Sequence, residues 1–357
     1  MIGCEWLQLQ YFLMNCFVVV SVFLNTCLII LIRLKSPKNL GPYKHLMKFI
    51  SLFEIFYSVV DYMILPVMHS HGASFFIMTP INETMFSKPE ALVMQAVWCG
   101  CFGASMAIFG IHFVYRYLAV TGSAYISTFK GLKVLVWLML PIVYGFIWGI
   151  IAYLCCGPKE VLTEYIRQNL NDSFELSVDD VVYIGPYFYT EAGDFHLDSD
   201  VIWTLSGASC IMGSSLFTIF YFGWKCYTSL SNINPASGHS PHYRSLQTQF
   251  FTALVLQTVI PITLMHLPLL VNYSAALLNH GLGKVSNLAS ITIALYPAID
   301  PLPTLFIIKN YRKGIKEVCL WPKTMFQKVM KKSPKVESMV RRTSTIFGDT
   351  YHEGMIL

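Results

Sequence analysis

Charge is what this chain lacks most. Only 13% of its 357 residues are Asp, Glu, Lys or Arg, and 55% are hydrophobic. A soluble domain carries about 25% charged residues. Because so little charge cannot cover a surface that faces water, the composition excludes an ordinary soluble protein. It indicates that lipid surrounds much of the chain.

Motifs for catalysis and metal binding are also missing. The sequence holds no HExxH, no GxSxG and no phosphate-binding Walker loop, which excludes the common hydrolase, metalloprotease and nucleotidase sites. The ten cysteines form no CxxC pair or Cys/His cluster with zinc spacing. We therefore expect no enzyme activity, no cofactor, no metal ion and no nucleic-acid partner.

Long apolar segments are what the chain has instead. Each is long enough, at 1.5 Å per residue, to cross about 30 Å of hydrocarbon. They predict an all-α membrane protein with seven transmembrane helices over residues 11–308. The seven segments are 11–32, 46–67, 91–115, 134–154, 201–224, 250–271 and 285–308.

The basic residues predict the orientation of this bundle. With the N-terminal residues 1–10 outside, 21 of the 25 lysines and arginines fall on the inner side, as the positive-inside rule requires. The long acidic loop 155–200 and the glycosylation sequons at Asn82 and Asn171 then lie outside. The basic tail 309–357 lies inside.

The tail itself predicts contact with lipid and sites of modification. It opens with a basic amphipathic stretch expected to lie along the inner leaflet, and its remainder is expected to be disordered. Thr343 and Ser344 follow two arginines in a pattern typical of basophilic kinase sites. Cys319, just after the amphipathic stretch, is a palmitoylation candidate.

Several sequence stretches resemble one family. The chain is similar, over nearly its whole length, to the nematode Str-type serpentine chemoreceptors, the group that contains the diacetyl odorant receptor. The stretches that carry the resemblance are NLGPYKHLM (39–47), HFVYRYLA (112–119), QFFTALVLQTVIP (249–261), LYPAIDPLP (295–303) and IIKNYR (307–312).

The resemblance implies a G-protein-coupled chemosensory, or odorant, receptor. Its small, volatile ligand would bind in the outer half of the bundle and activate a heterotrimeric G protein. The receptor would act at the plasma membrane of a sensory cilium, as a monomer or as a homo- or hetero-dimer. Two alternatives stay open: a ligand-gated cation channel of the seven-span odorant-receptor type, and a proton-coupled transporter.

The resemblance also assigns roles at the inner ends of two helices. Arg116 and Tyr117 stand where rhodopsin-like receptors place the Arg-Tyr that couples to the G protein, with Tyr115 replacing the usual acid. We expect Arg116 at the water boundary; the alternative is an arginine that only reaches the inner headgroups. Asp300 and Pro301 resemble the Asn/Asp-Pro of the seventh helix and predict a hinge there.

Polar residues inside the apolar segments predict an internal network. Glu54 and Asp61 are seven residues apart on one face of the second helix, which must point into the bundle. With Asn25 and His112 they form either a structural hydrogen-bond network, which we favour, or a proton pathway.

The ligand and disulfide positions are expectations of the same kind. Gln95, Trp98, Gln257 and His266 lie at the outer or middle depth where a ligand pocket would form. Rhodopsin-like receptors tie the third helix to the second outer loop by a disulfide. The nearest thiols here predict a Cys99–Cys155 or Cys101–Cys156 bridge, or four reduced packing residues.

Glycosylation tests the predicted orientation. Glycosidase treatment of the protein expressed in animal cells should lower its apparent mass, because the sequons at Asn82 and Asn171 face the lumen during synthesis. The double variant Asn82→Gln/Asn171→Gln should lose that shift. Detection of a tail epitope on intact cells would contradict the orientation.

Overall fold

The computed structural model describes residues 2–37, 40–189, 199–232 and 241–317. The predicted modification sites Cys319, Thr343 and Ser344 lie outside the described residues. Residues 309–317 are helical. The other helices are α1 (Ile2–Lys35), α2 (Tyr43–Ile64), α3 (Lys88–Thr121), α4 (Val134–Cys155), α5 (Glu160–Phe174), α6 (Ser199–Ser231), α7 (Pro241–Pro261), α8 (Leu267–Leu277), α9 (Asn287–Ile299) and α10 (Pro301–Ile307).

The predicted all-α seven-helix bundle is confirmed. In the described residues, six stretches are long and apolar enough to cross a membrane. They are α1, α3, α4, α6, the continuous pair α7–α8 and the pair α9–α10. The seventh is α2, which has 22 residues but carries Lys44, Lys48, Glu54 and Asp61. Between α7 and α8 the chain forms a π-helical turn directly after Pro261, where the proline has no N–H to donate.

Helix α3 runs through the centre of the bundle because it is rich in small residues. Its most apolar window is 78% buried, compared with 11% for α4. The α3–α4 contact depends on glycines: a Cβ built on Gly145 would lie 2.8 Å from the carbonyl oxygen of Gly100. The GxxxG of α4, formed by Gly145 and Gly149, therefore packs against α3 within one chain.

A three-stranded antiparallel sheet covers one end of the bundle, and the apolar segments did not predict it. Its strands are β1 (Val67–His71), β2 (Ser74–Pro80) and β3 (Val181–Ile184), in the order β1-β2-β3. The β1–β2 turn contains Gly72 in the left-handed region, at φ 48°, which glycine adopts without steric cost. We call this end of the bundle the sheet end.

The described part of the acidic segment, residues 155–189, contains helix α5 and strand β3. Helix α5 presents Leu162, Ile166, Leu170 and Phe174, spaced one helical turn apart, to the sheet. His69 of β1 lies edge-on to the ring of Phe174, and its Nε2 is 2.8 Å from Oδ1 of Asn169. Burial lowers the pKa of this imidazole below its ordinary value, so the neutral ring holds α5 on the sheet.

Substitution at the α3–α4 contact should destabilise the bundle. Gly145→Ala places a methyl group against the Gly100 carbonyl and should cost about 1–3 kcal/mol of stability by overpacking. Gly213→Ala is the matched control, because a Cβ there meets nothing within 4 Å and alanine favours a helix. Thermal unfolding in detergent measures both; equal melting temperatures for the two variants would contradict the packing described.

Candidate functional site

A chamber lies under the sheet, between α3, α4, α6 and α8. Its volume is about 120 Å³ and its walls are almost entirely apolar. No side chain that lines it, among the described residues, is acidic or basic. Its walls include Met68, Ile77, Trp98, Phe102, Trp148 and Met212. An apolar chamber of this kind suits a small, uncharged, largely apolar molecule.

Trp98 is the one residue of the four expected at the ligand pocket that lines this chamber. The Gln95 amide donates to Oγ1 of Thr79 at 2.9 Å and to the carbonyl oxygen of Val182 at 3.2 Å, so it ties α3 to the sheet. The His266 ring lies edge-on to Phe102, with centroids 4.5 Å apart, outside the lining. Gln95 and His266 therefore lie beside the chamber and do not line it.

The expected disulfides are not formed. Cys99, Cys101 and Cys156 are buried free thiols, which leaves neither predicted bridge in place. Cys99 and Cys156 line the chamber instead, and Sγ of Cys156 lies 3.3 Å from Oγ1 of Thr204. These cysteines act as packing residues of moderate polarity.

A buried polar network begins at the chamber wall and continues along α2. Nε1 of Trp98 donates to Oδ1 of Asp61 at 2.8 Å. One face of α2 then carries Asp61, Tyr57 and Glu54, all buried. The Glu54 carboxyl lies beside that of Asp300, on the seventh membrane-spanning segment. Two ionised carboxyls this close in an apolar interior would repel each other strongly.

Asp300 accepts hydrogen bonds from Gln257 of α7, which lies in this network and away from the chamber. Nε2 of Gln257 donates to Oδ2 of Asp300 at 2.8 Å. The hydroxyl of Thr304 donates to Oε1 of Gln257 at 2.8 Å. The sixth and seventh membrane-spanning segments, α7–α8 and α9–α10, are therefore joined at mid-bundle by the buried amide of Gln257 and the buried carboxyl of Asp300.

Pro301 explains why Asn25 belongs to the same region. Pro301 has no N–H, so the carbonyl of Pro297, one turn earlier, lacks its helical donor. Nδ2 of Asn25 donates to that carbonyl at 3.0 Å, and the hydroxyl of Ser21 does so at 3.1 Å. Side chains of α1 thus satisfy the backbone that the proline leaves open.

Arg116 lies at the opposite end of the bundle, which we call the arginine end. Its side chain is only 1% exposed, so the expectation that it sits at the water boundary is wrong, and so is the alternative that it reaches the headgroups. Its Cζ lies 3.5 Å from the ring centroid of Tyr43 and 4.4 Å from that of Phe250. Nη1 donates to Oε1 of Gln247 at 3.0 Å.

This set of residues, Tyr43, Arg116, Gln247 and Phe250, is the arginine cage. It joins α2, α3 and α7 at one point. His112, one turn from Arg116, is buried, with its Nδ1 3.2 Å from the hydroxyl of Tyr43. Tyr117 is half-buried and packs against Phe222 of α6, with ring centroids 5.6 Å apart. In the cage, the rings of Tyr43 and Phe250 and the amide of Gln247 contact the Arg116 guanidinium in place of an acidic side chain.

The two sequon asparagines lie at the sheet end. Asn82 directly follows β2 and Asn171 lies on α5, and both side chains are exposed. The structure therefore places both sequons at the end opposite Arg116, in agreement with the arrangement that the basic residues predict.

Comparison with known proteins decides the family. The family described as "Serpentine type 7TM GPCR chemoreceptor Str" matches residues 10–316. This chain belongs to that Str family. Among its Caenorhabditis elegans relatives, "G-protein coupled receptor str-217" is 36% identical, with 86% of this chain and 90% of the relative covered.

Another relative and one solved structure agree with this assignment. "Serpentine receptor class r-10" of the same nematode is 30% identical over 83% of this Str-family chain and 88% of the relative. Squid rhodopsin superposes with a TM-score of 0.60 at 10% identity, covering 90% of this chain and 87% of the rhodopsin. The fold is that of rhodopsin-like receptors, and the chain is a multi-pass receptor of a chemoreceptor family, which is not a family of enzymes.

Proposed function

We propose that this chain is a chemosensory receptor in which a ligand in the chamber controls the arginine cage, and through it a heterotrimeric G protein. The observation that carries the proposal is the cage itself, which buries the one arginine that the family resemblance assigns to coupling. In the proposed orientation the sheet end is extracellular and the arginine end cytoplasmic, at the plasma membrane of a sensory cilium.

The chamber limits the ligand to a small, neutral class of molecule. A cavity of 150 Å³ lined by aliphatic and aromatic side chains holds one benzene molecule. The 120 Å³ chamber therefore suits a compound of about six non-hydrogen atoms, such as a short ketone, ester or aromatic. Such compounds are volatile, which supports an odorant role.

Activation is proposed to open the cage. Arg116 now lies between α2 and α7, where it offers nothing to a cytoplasmic partner. Outward movement of the inner end of α7 would withdraw Phe250 and Gln247 and release the guanidinium. The ligand acts by stabilising the open state more than the closed one. The Asp300–Gln257 contact is proposed as the hinge around which this helix moves.

The cage is tested by basal signalling. Phe250→Ala removes one wall of the cage, worth about 1–2 kcal/mol, and should raise ligand-independent nucleotide exchange by roughly tenfold. Phe220→Ala is the control, because Phe220 lies on the lipid-facing side of α6, 67% exposed. Arg116→Met, which keeps the buried volume, should show no nucleotide exchange on the G protein, either as a single variant or together with Phe250→Ala.

Two outcomes would contradict the receptor mechanism. One is full nucleotide exchange by Arg116→Met at a normal surface level. The other is an agonist-evoked current that persists when G proteins are blocked, as a ligand-gated channel would give. Phe250→Ala with unchanged basal exchange would reject the cage as the resting lock.

The chamber is tested by filling it. Once a panel of small volatile compounds has identified an agonist, Ala208→Leu should raise its half-maximal concentration roughly 10-fold or more, because Ala208 lines the chamber. Ser209→Leu, on the adjacent exposed position of α6, should leave it unchanged. Equal effects of the two substitutions would place the ligand elsewhere.

A further inference from the structure

A basic cleft opens at the arginine end, between the end of α1, the start of α2 and the loop before α4. Its volume is about 750 Å³. Four cationic side chains line it: Arg33, Lys44, Lys48 and Lys130. Nothing in the receptor mechanism above uses these residues.

No carboxylate among the described residues forms an ion pair with any of the four cations. Lys44 and Lys48 are one turn apart on the same face of α2, where like charges repel. The nearby acid Glu317 is already bonded to Lys35, at 2.5 Å. The cleft therefore concentrates positive charge that an anion would compensate.

The start of α2 adds a second source of positive potential. This 22-residue helix begins at Tyr43, after Pro42, and no side chain caps its first turn. The His45 N–H already donates to the Pro42 carbonyl, but the positive end of the helix dipole still favours an anion at this position. Pro42 and Lys44 both line the cleft, so the helix start and the cations face the same space.

Exposed apolar residues lie next to, or within two residues of, positions in the chain that line the cleft, namely Arg33, Gly131 and Val134. Leu34 is 68% exposed, Leu132 is 83% exposed and Val136 is 74% exposed. The acyl chains of a lipid held in the cleft can lie against such side chains, whereas a soluble phosphate compound has no apolar part to place there. The basic side chains that line the cleft and the apolar side chains near it together favour a membrane lipid as the ligand.

We propose that this cleft binds the phosphorylated headgroup of an anionic lipid of the inner leaflet, with the phosphates on Arg33, Lys44, Lys48 and Lys130. The site rests on the proposed orientation, which places the arginine end in the cytoplasmic leaflet, where such lipids are concentrated. A bound headgroup would also fix the first turn of α2, which carries Tyr43 against Arg116.

Lipid binding to the purified full chain tests the site. The probe is a fluorescent phosphatidylinositol bisphosphate, added as a minor component to phosphatidylcholine nanodiscs that hold the protein, with energy transfer as the readout. Replacing the four cleft cations by Gln should weaken binding roughly 1,000-fold, because each contributes about 1 kcal/mol at a membrane surface.

The matched control removes the same charge from the same end. Arg244, Lys309, Lys313 and Lys316 are exposed and lie outside the cleft, so their replacement by Gln should remove only the general attraction of basic residues for the anionic leaflet and weaken binding much less than the cleft variant does. Equal losses in the two variants, or no binding by the unmodified chain, would overturn the proposal. So would competition by free inositol phosphate as effective as the lipid itself, which would indicate a soluble ligand.

This experiment is independent of signalling. It needs neither an agonist nor a G protein, so its failure would leave the receptor proposal standing. A silent receptor that still bound the lipid through these four residues would leave the lipid site standing. Melting temperatures of both variants, measured without the lipid, verify that they are folded.

Discussion

The burial of one guanidinium determines how this bundle is held together at its arginine end. Removing Arg116 from water is costly, and Nε and Nη2 have no hydrogen-bond partner among the described residues. The rings of Tyr43 and Phe250 and the amide of Gln247 offset part of that cost. Since those partners come from α2 and α7, the charge is satisfied only while three helices stay together. Such an incompletely satisfied contact is suited to a switch between two states.

Helix α2 connects this contact to the chamber. One buried face carries Tyr43 in the cage, Glu54 beside Asp300, and Asp61 bonded to Trp98 in the chamber wall. A ligand that displaced Trp98 would therefore act on α2, whose Tyr43 contacts Arg116. The same face accounts for the unusual acids of α2, which serve contacts with the third and seventh helices. Glu54 and Asp61 thus have different neighbours, Asp300 and Trp98.

The helices were predictable from the sequence, whereas the sheet and the burial and contacts of individual polar side chains were not. Uncharged segments of membrane length predict the spans because backbone groups in lipid must bond internally. The β1–β2 hairpin was missed because Phe75, Phe76, Ile77 and Met78 are apolar without the length of a span. Arginine at a segment end suggests exposure; only the aromatic rings of two other helices, distant in sequence, explain its burial. Gln257 was likewise predicted to face a ligand, because its hydrogen bond to Asp300, which is distant in sequence, could not be predicted.

The separation of helices at the arginine end tests the central claim most directly. Nitroxide labels on Leu132→Cys and Arg244→Cys, in a chain whose exposed native cysteines are serine, report the distance from α7 to the base of α4 by pulsed electron resonance. A reference pair, Leu132→Cys and Leu34→Cys, reports on α1. Binding of agonist and G protein should lengthen the first distance and leave the reference unchanged. An unchanged first distance in a chain that activates the G protein would contradict release of Arg116 from its cage.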